Sequence, residues 1–76
     1  MNHLDKEQEI IHDLVKSIQE TILKVENLHQ FNEEAIKSTN ELGIEVVQED
    51  LKKLTDFKCA IESLEIATEY LDRMKI

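Results

Sequence analysis

The residues best suited to chemistry are two Glu-x-x-His pairs, Glu9 with His12 and Glu26 with His29. Carboxylate di-iron proteins use this spacing because residues three apart on a helix direct both side chains at one metal ion. Both pairs fall on the same predicted helix, about 26 Å apart, so one chain cannot bring them to a shared metal. We therefore interpret the histidines as solvated surface residues and predict no metal and no cofactor.

The single cysteine, Cys59, cannot form an intrachain disulfide, and it has no helix start beside it to activate a thiolate. Its cationic neighbour Lys58 points elsewhere on a helix. The chain has no Gly-rich phosphate loop and no arguable Ser-His-Asp geometry, and a thin helical rod offers little of the concave pocket that catalysis needs. The sequence predicts a protein that is not an enzyme, with no catalytic residues.

The composition indicates one small helical domain spanning residues 1–76. The chain has one Gly, no Pro, one Tyr and two Phe, too few turn residues and aromatics for a multi-strand sheet. With 41% apolar residues it is too hydrophobic for a disordered acidic tail. A domain of this size buries only about 60% of its unfolded surface and is marginal alone, so we expect a partner.

The charge and the apolar runs bear on compartment and partner class. Seventeen acidic residues against nine Lys and Arg leave a net charge of -8, which repels phosphate backbones, so we predict no nucleic-acid partner. The most apolar runs, such as Ile10-Ile11 and Val46-Val47, are two residues long, so we predict no membrane insertion. The amino terminus lacks the basic start and the apolar stretch of a signal peptide, which favours a cytoplasmic protein.

The spacing of apolar residues predicts a long first helix over about residues 3–42, with Asn2 as its N-cap. Steps of three or four place one stripe on this helix, formed by Ile11, Leu14, Ile18, Ile22, Val25 and Leu28. Asn32 and Thr39 dilute the stripe farther along. A break in the first helix near Asn32 therefore stays open as an alternative.

Gly43 is the natural end of the first helix because it can adopt a left-handed conformation without penalty. Ile44 then suits the hydrophobic contact of a Schellman ending, and we predict a turn over about residues 43–45. Heptad spacing resumes at once and predicts a second helix over about residues 46–75. The predicted fold is all-α, an antiparallel two-helix hairpin resembling a coiled coil, completed by self-association or by a partner.

Folding the chain at about residue 44 predicts a register in which Phe31 meets Phe57 and Ile18 meets Tyr70 or Leu71. Residues 1 to about 12 then overhang the carboxyl terminus and lack intrachain cover. Other candidate contact residues lie off the seam or at its edge on the second helix. The predicted protein interface consists of Leu4, Ile10, Ile11, Ile66, Tyr70 and Met74.

The second helix carries two short runs, Ala-Ile-Glu-Ser-Leu at 60–64 and Glu-Tyr-Leu at 69–71. In this order, after a turn and near the end of a chain of this size, they resemble the second helix of the small needle co-chaperones of type III secretion systems. The resemblance implies a hairpin that binds a tetratricopeptide-like chaperone and helps hold the needle subunit soluble in the cytoplasm. It also places Tyr70 near the contact surface.

Three classes of function follow from these observations. The favoured one is a chaperone or adaptor that stabilises or sequesters one protein, a chaperone or a secreted subunit, through a helix-in-groove surface. The second is a homodimeric four-helix bundle with a structural or regulatory role. The third is a small acidic inhibitor that blocks a basic site on another protein.

Overall fold

Two α-helices joined by a short connection form the molecule. The computed structural model describes residues 3–76, with side chains from residue 5 onward. Helix α1 spans His3–Glu41 and helix α2 spans Gln48–Arg73, and the two pack side by side in opposite directions. The described residues contain no strand. The prediction of an all-α, antiparallel two-helix hairpin is confirmed.

Helix α1 continues through the position where a break was an alternative. Asn32 donates a hydrogen bond from Nδ2 to the Leu28 carbonyl oxygen at 2.7 Å, so its amide is satisfied within the helix. The α1 backbone therefore needs no interruption at Asn32, and that alternative is wrong. The predicted N-cap, Asn2, and the Leu4 side chain lie outside the part of the chain that is described.

The end of α1 is the Schellman motif that the sequence predicts. Gly43 has a φ of 75°, and its amide donates to the Asn40 carbonyl at 3.0 Å while the Ile44 amide donates to the Thr39 carbonyl at 3.2 Å. These two bonds satisfy carbonyl groups that the end of a helix otherwise leaves unpaired. The chain reversal is therefore stabilised by local backbone bonds.

Helix α2 begins later than predicted, at Gln48, because residues 44–47 are not helical. Val47 is extended, with φ -77° and ψ 150°, as suits a β-branched residue. An extended residue advances about 3.3 Å and a helical one about 1.5 Å. The connection therefore runs back along α1, and every partner on α2 meets α1 nearer its amino terminus than predicted.

The hairpin is a rod measuring 63 × 14 × 13 Å. Its radius of gyration is 17.9 Å, whereas a compact domain of this length has about 11 Å. It exposes 6196 Å² to solvent, against about 4,800 Å² for a globular monomer of the same mass. The single seam between two helices leaves surface uncovered that a globular fold would bury.

Candidate protein interface

The seam between the helices follows a strict alternation of three and four residues. On α1 it contains Ile11 and Val15, with exposures of 6% and 4%, the only buried residues in the described part of the chain. Half-buried positions continue the seam along α1 at Ile18, Ile22, Val25, His29, Asn32, Ile36 and Thr39. On α2 the half-buried seam positions are Leu54, Phe57, Ile61, Leu64, Thr68 and Leu71.

The end of the rod opposite the turn, which we call the free end, is covered more fully than predicted. Gln8 donates from Nε2 to the Met74 carbonyl at 3.0 Å and accepts at Oε1 from the Ile76 amide at 3.1 Å. Ile11 lies beside Leu71 in the adjoining groove. The prediction that Ile11 lacks an intrachain neighbour is therefore wrong, because the displaced register brings the carboxyl end of α2 over it.

A groove of about 400 Å³ lies at this end, lined by apolar residues of both helices. Ile10 and Leu14 contribute from α1 and Met74 contributes from α2, with exposures of 51%, 47% and 56%. Ile10 and Met74, two of the predicted interface residues, are thus brought together and remain accessible. Lys6 and Glu7 border the groove on its polar side.

A second apolar row runs along α1, each member one residue before a seam position. The row on α2 that contains Met74 lies on the same side of the hairpin, because Met74 shares the groove with Ile10 and Leu14. We call the two rows the open apolar face. It consists of Ile10, Leu14, Leu28, Phe31 and Ala35 from α1 and of Ala60, Ala67, Tyr70 and Met74 from α2.

Tyr70 occupies this face with 56% of its surface exposed. The Arg73 guanidinium carbon lies 4.9 Å from the centre of its ring, a cation–π arrangement that holds the ring along the helix. Ile66, also predicted as an interface residue, is 51% exposed, but it lies on the side of α2 opposite the seam. The hairpin does not bring Ile66 together with Tyr70 and Met74.

Phe31 and His29 exchange the places that the sequence predicts for them. Phe31 is 69% exposed on the open apolar face, whereas the His29 side chain is only 16% exposed in the seam. The His29 ring meets Phe57 edge to face, with centroids 6.5 Å apart. The predicted contact between Phe31 and Phe57 and the prediction of a solvated His29 are both wrong, because α2 is displaced along α1.

His29 carries a polar atom that the seam leaves unsatisfied. Its Nε2 lies 3.3 Å from Oε1 of Glu33, but it is buried without a hydrogen-bond partner. The carboxylate is thus close enough to attract a protonated ring, without the geometry of a hydrogen bond. The other Glu-x-x-His histidine, His12, is exposed. No group of three or more His, Cys, Asp or Glu within the described residues is arranged to hold a metal ion.

Charge is distributed unequally around the rod. The side opposite the open apolar face carries a row of acids that we call the acidic face, formed by Glu26 and Glu33 from α1 and Glu62, Glu65 and Glu69 from α2. The open apolar face carries Lys24 and Lys53 among its few charges. Cys59 is exposed on α2. No helix in the described part of the chain has the length and hydropathy to cross a membrane.

The adjacent apolar pairs are the sequence signal for the open apolar face. Ile10-Ile11, Leu14-Val15 and Ala35-Ile36 each place one residue on the face and the next in the seam. The predicted stripe includes Leu14 and Leu28 together with the seam residues. It therefore treats as one row two rows that lie about 100° apart around α1. A single stripe cannot hold both members of such a pair, so the pairs indicate a helix with two apolar rows.

Comparison with known proteins provides no relative from which a function could be transferred. No protein-family model, no curated protein and no solved structure matches the chain. The function must therefore be argued from the open apolar face, the seam and the distribution of charge.

Proposed function

We propose that the chain is a small, non-catalytic, cytoplasmic binding module that presents the open apolar face to α-helices of another polypeptide and so stabilises or sequesters it. The observation that carries this proposal is the face itself. Leu28, Phe31 and Tyr70 expose 51%, 69% and 56% of their surface on one side of a 63 Å rod. Apolar patches that are contiguous and exposed commonly mark interaction sites.

The geometry of the face suits a helix as its ligand. The large apolar side chains of the face lie toward its two ends, with Ile10, Leu14 and Met74 at the free end and Leu28 and Phe31 nearer the turn, and the α2 row between them is small at Ala60, Ser63 and Ala67. Helix-in-groove recognition uses apolar anchors at steps of three and four. Covering a Leu or Phe side chain fully contributes about 1.5–3 kcal/mol each, so three or four anchors are enough for specific binding.

The resemblance to needle co-chaperones suggests what such a module does. A two-helix adaptor of that kind would hold a secreted subunit or its chaperone in a soluble complex, and Tyr70 would contact it. The position of Tyr70 on the open apolar face, with 56% of its surface exposed, is compatible with that role because tyrosine is enriched in binding hot spots.

A capture experiment with the native host's proteins tests the proposal. The chain is compared with the double variant Leu28→Glu/Phe31→Glu and with a charge-matched control, Leu23→Glu/Gln30→Glu. Leu23 is 61% exposed and lies with Gln30 away from the open apolar face. Glu is a good helix former, so both variants should keep their helices.

We expect one protein to be captured by the wild-type chain and by the control, and to be lost with the Leu28/Phe31 variant. A needle subunit or a tetratricopeptide-like chaperone among the captured proteins would support the co-chaperone role. Equal capture by all three chains would contradict the proposal. If such capture were also abolished by moderate salt, it would favour the acidic inhibitor, whose contact would be the acidic face.

A further inference from the structure

The α1 row of the open apolar face has nearly the same order of large residues in both directions from Thr21. Leu14 and Leu28 lie equally far from Thr21 on either side, and Ile10 and Phe31 lie almost equally far beyond them. Between the two large pairs the row contains Ser17 and Lys24 around Thr21. A row whose large apolar residues lie at matching distances on both sides of a more polar centre can pack against a reversed copy of itself.

We infer that a second copy of this chain covers the open apolar face, related by a twofold axis that passes beside Thr21. The inference rests on the proposed function in one respect, that this face binds helices, and the second copy occupies the face when no other polypeptide is bound. A twofold contact uses the same patch on both subunits. If one residue contacts a second residue across the axis, the second therefore also contacts the first. Leu14 then packs on Leu28 of the second copy, and Ile10 packs on Phe31 of the second copy.

The middle of the row permits the two hairpins to approach closely. Small residues lie along both rows near the centre of the rod, Ser17 and Thr21 on α1 and Ala60 and Ser63 on α2. The Thr21 hydroxyl donates to the Ser17 carbonyl at 2.9 Å. Because the Thr21 hydroxyl already donates within α1, a partner can cover this side chain without leaving the hydroxyl donor unpaired.

Charge selects the open apolar face over the other sides of the rod for this contact. The chain carries a net charge of -8. Pairing two acidic faces would place the row of Glu62, Glu65 and Glu69 against the acidic face of the second copy, where like charges repel. On the open apolar face the lysines at 24 and 53 offset Glu7, Glu49 and Asp56. Packing through this face leaves both acidic faces on the outside of the dimer, where water and salt screen them.

The exposed area is sufficient for a stable dimer. Each chain exposes 6196 Å², which exceeds the value for a globular monomer by roughly 1,400 Å². A standard protein interface buries about 800 Å² on each partner. Covering the open apolar face of two chains therefore brings each subunit toward the surface area of an ordinary globular protein, as a four-helix bundle.

Sedimentation of the full chain tests the second copy as the occupant. At about 100 µM we expect a mass twice the 8.9 kDa of one chain. The Leu28→Glu/Phe31→Glu variant should sediment as a helical monomer with at least a hundredfold weaker self-association, while Leu23→Glu/Gln30→Glu should remain a dimer. If the wild-type chain sediments as a monomer but still captures another protein through Leu28 and Phe31, this inference is overturned and the proposed function stands. A dimer that the Leu28/Phe31 variant does not weaken overturns the assignment of the face.

Disulfide crosslinking tests the orientation, in a background where Cys59→Ser removes the exposed native thiol. Mixed Leu14→Cys and Leu28→Cys chains should form a crosslinked dimer at least tenfold faster than Leu14→Cys chains alone. A Thr21→Cys chain should crosslink to its own copy because that residue lies beside the axis. Rapid crosslinking of Leu14→Cys to itself would overturn the reversed arrangement in favour of a parallel one.

Discussion

The two halves of the hairpin differ in what holds them. In the free-end half the α1 seam residues Ile11, Val15, Ile18 and Ile22 are aliphatic, and Ile11 and Val15 are buried. In the half near the turn the α1 seam positions include His29, Asn32 and Thr39, all only half-buried. The hairpin is therefore packed most tightly far from the point where the chain reverses, so its stability depends on contacts between residues distant in sequence.

The polar residues of the turn half are mostly satisfied without help from α2. Asn32 donates to the Leu28 carbonyl and the Thr39 hydroxyl donates to the Ala35 carbonyl at 2.9 Å, both within α1. Such bonds avoid the penalty of a buried unpaired group, but they add no attraction between the helices. The turn half is thus held by the Schellman motif and by Phe57, and His29 is the exception that carries an unsatisfied atom.

Shortening one of the two buried residues should have the largest effect. Ile11→Ala should lower the free energy of unfolding by about 2–4 kcal/mol, because it removes buried methylene and methyl groups and leaves a cavity under Leu71. The matched change in the turn half, Thr39→Ala, should cost less than about 0.5 kcal/mol. Urea unfolding followed by circular dichroism, at one fixed protein concentration, measures both. Equal losses would show that the two halves are held equally.

Removing the unsatisfied polar atom should strengthen the turn half. His29→Leu should raise the free energy of unfolding by about 2 kcal/mol, because leucine of similar size removes the penalty of the unpaired Nε2 and packs on Phe57. The control is His12→Leu, which changes an exposed residue of the same helix and should stay within about 0.5 kcal/mol. A loss of stability in the His29 variant would mean that its contact with Phe57 and Glu33 outweighs the penalty.

The fold could be predicted because its determinants are local. Apolar residues spaced three and four apart indicate a helix, whichever of them faces the other helix. The one Gly marks the position where the chain needs a left-handed residue. Gly43 and Ile44 therefore predict the end of α1 correctly. Ile10 and Met74 lie together at the free end, whereas the predicted register leaves Ile10 beyond the carboxyl end of the second helix.

The register and the seam were not predictable in the same way, because both depend on the connection. The non-helical residues 44–47, with Val47 extended, displace α2 along α1, and no local signal in α1 reports this displacement. Helix α1 also has two apolar rows side by side, so Phe31 and His29 differ by only two positions but lie on different surfaces. Which row faces α2 depends on the packing of both rows along their whole length.

The turn itself offers the smallest effect and the sharpest comparison. Gly43→Ala should cost about 1 kcal/mol, because alanine in the left-handed region costs about 1–2 kcal/mol and the stiffer unfolded chain returns part of it. A Cβ at this position would meet no atom within 4 Å, so the whole cost lies in the backbone. Gly43→Asn should cost about half as much, because asparagine tolerates the left-handed region. Urea unfolding of the Gly43 variants and of Ile11→Ala compares how much the turn and the free end contribute to the free energy of unfolding. If Gly43→Ala lowered it as much as Ile11→Ala does, the turn, and not the free end, would stabilise the hairpin.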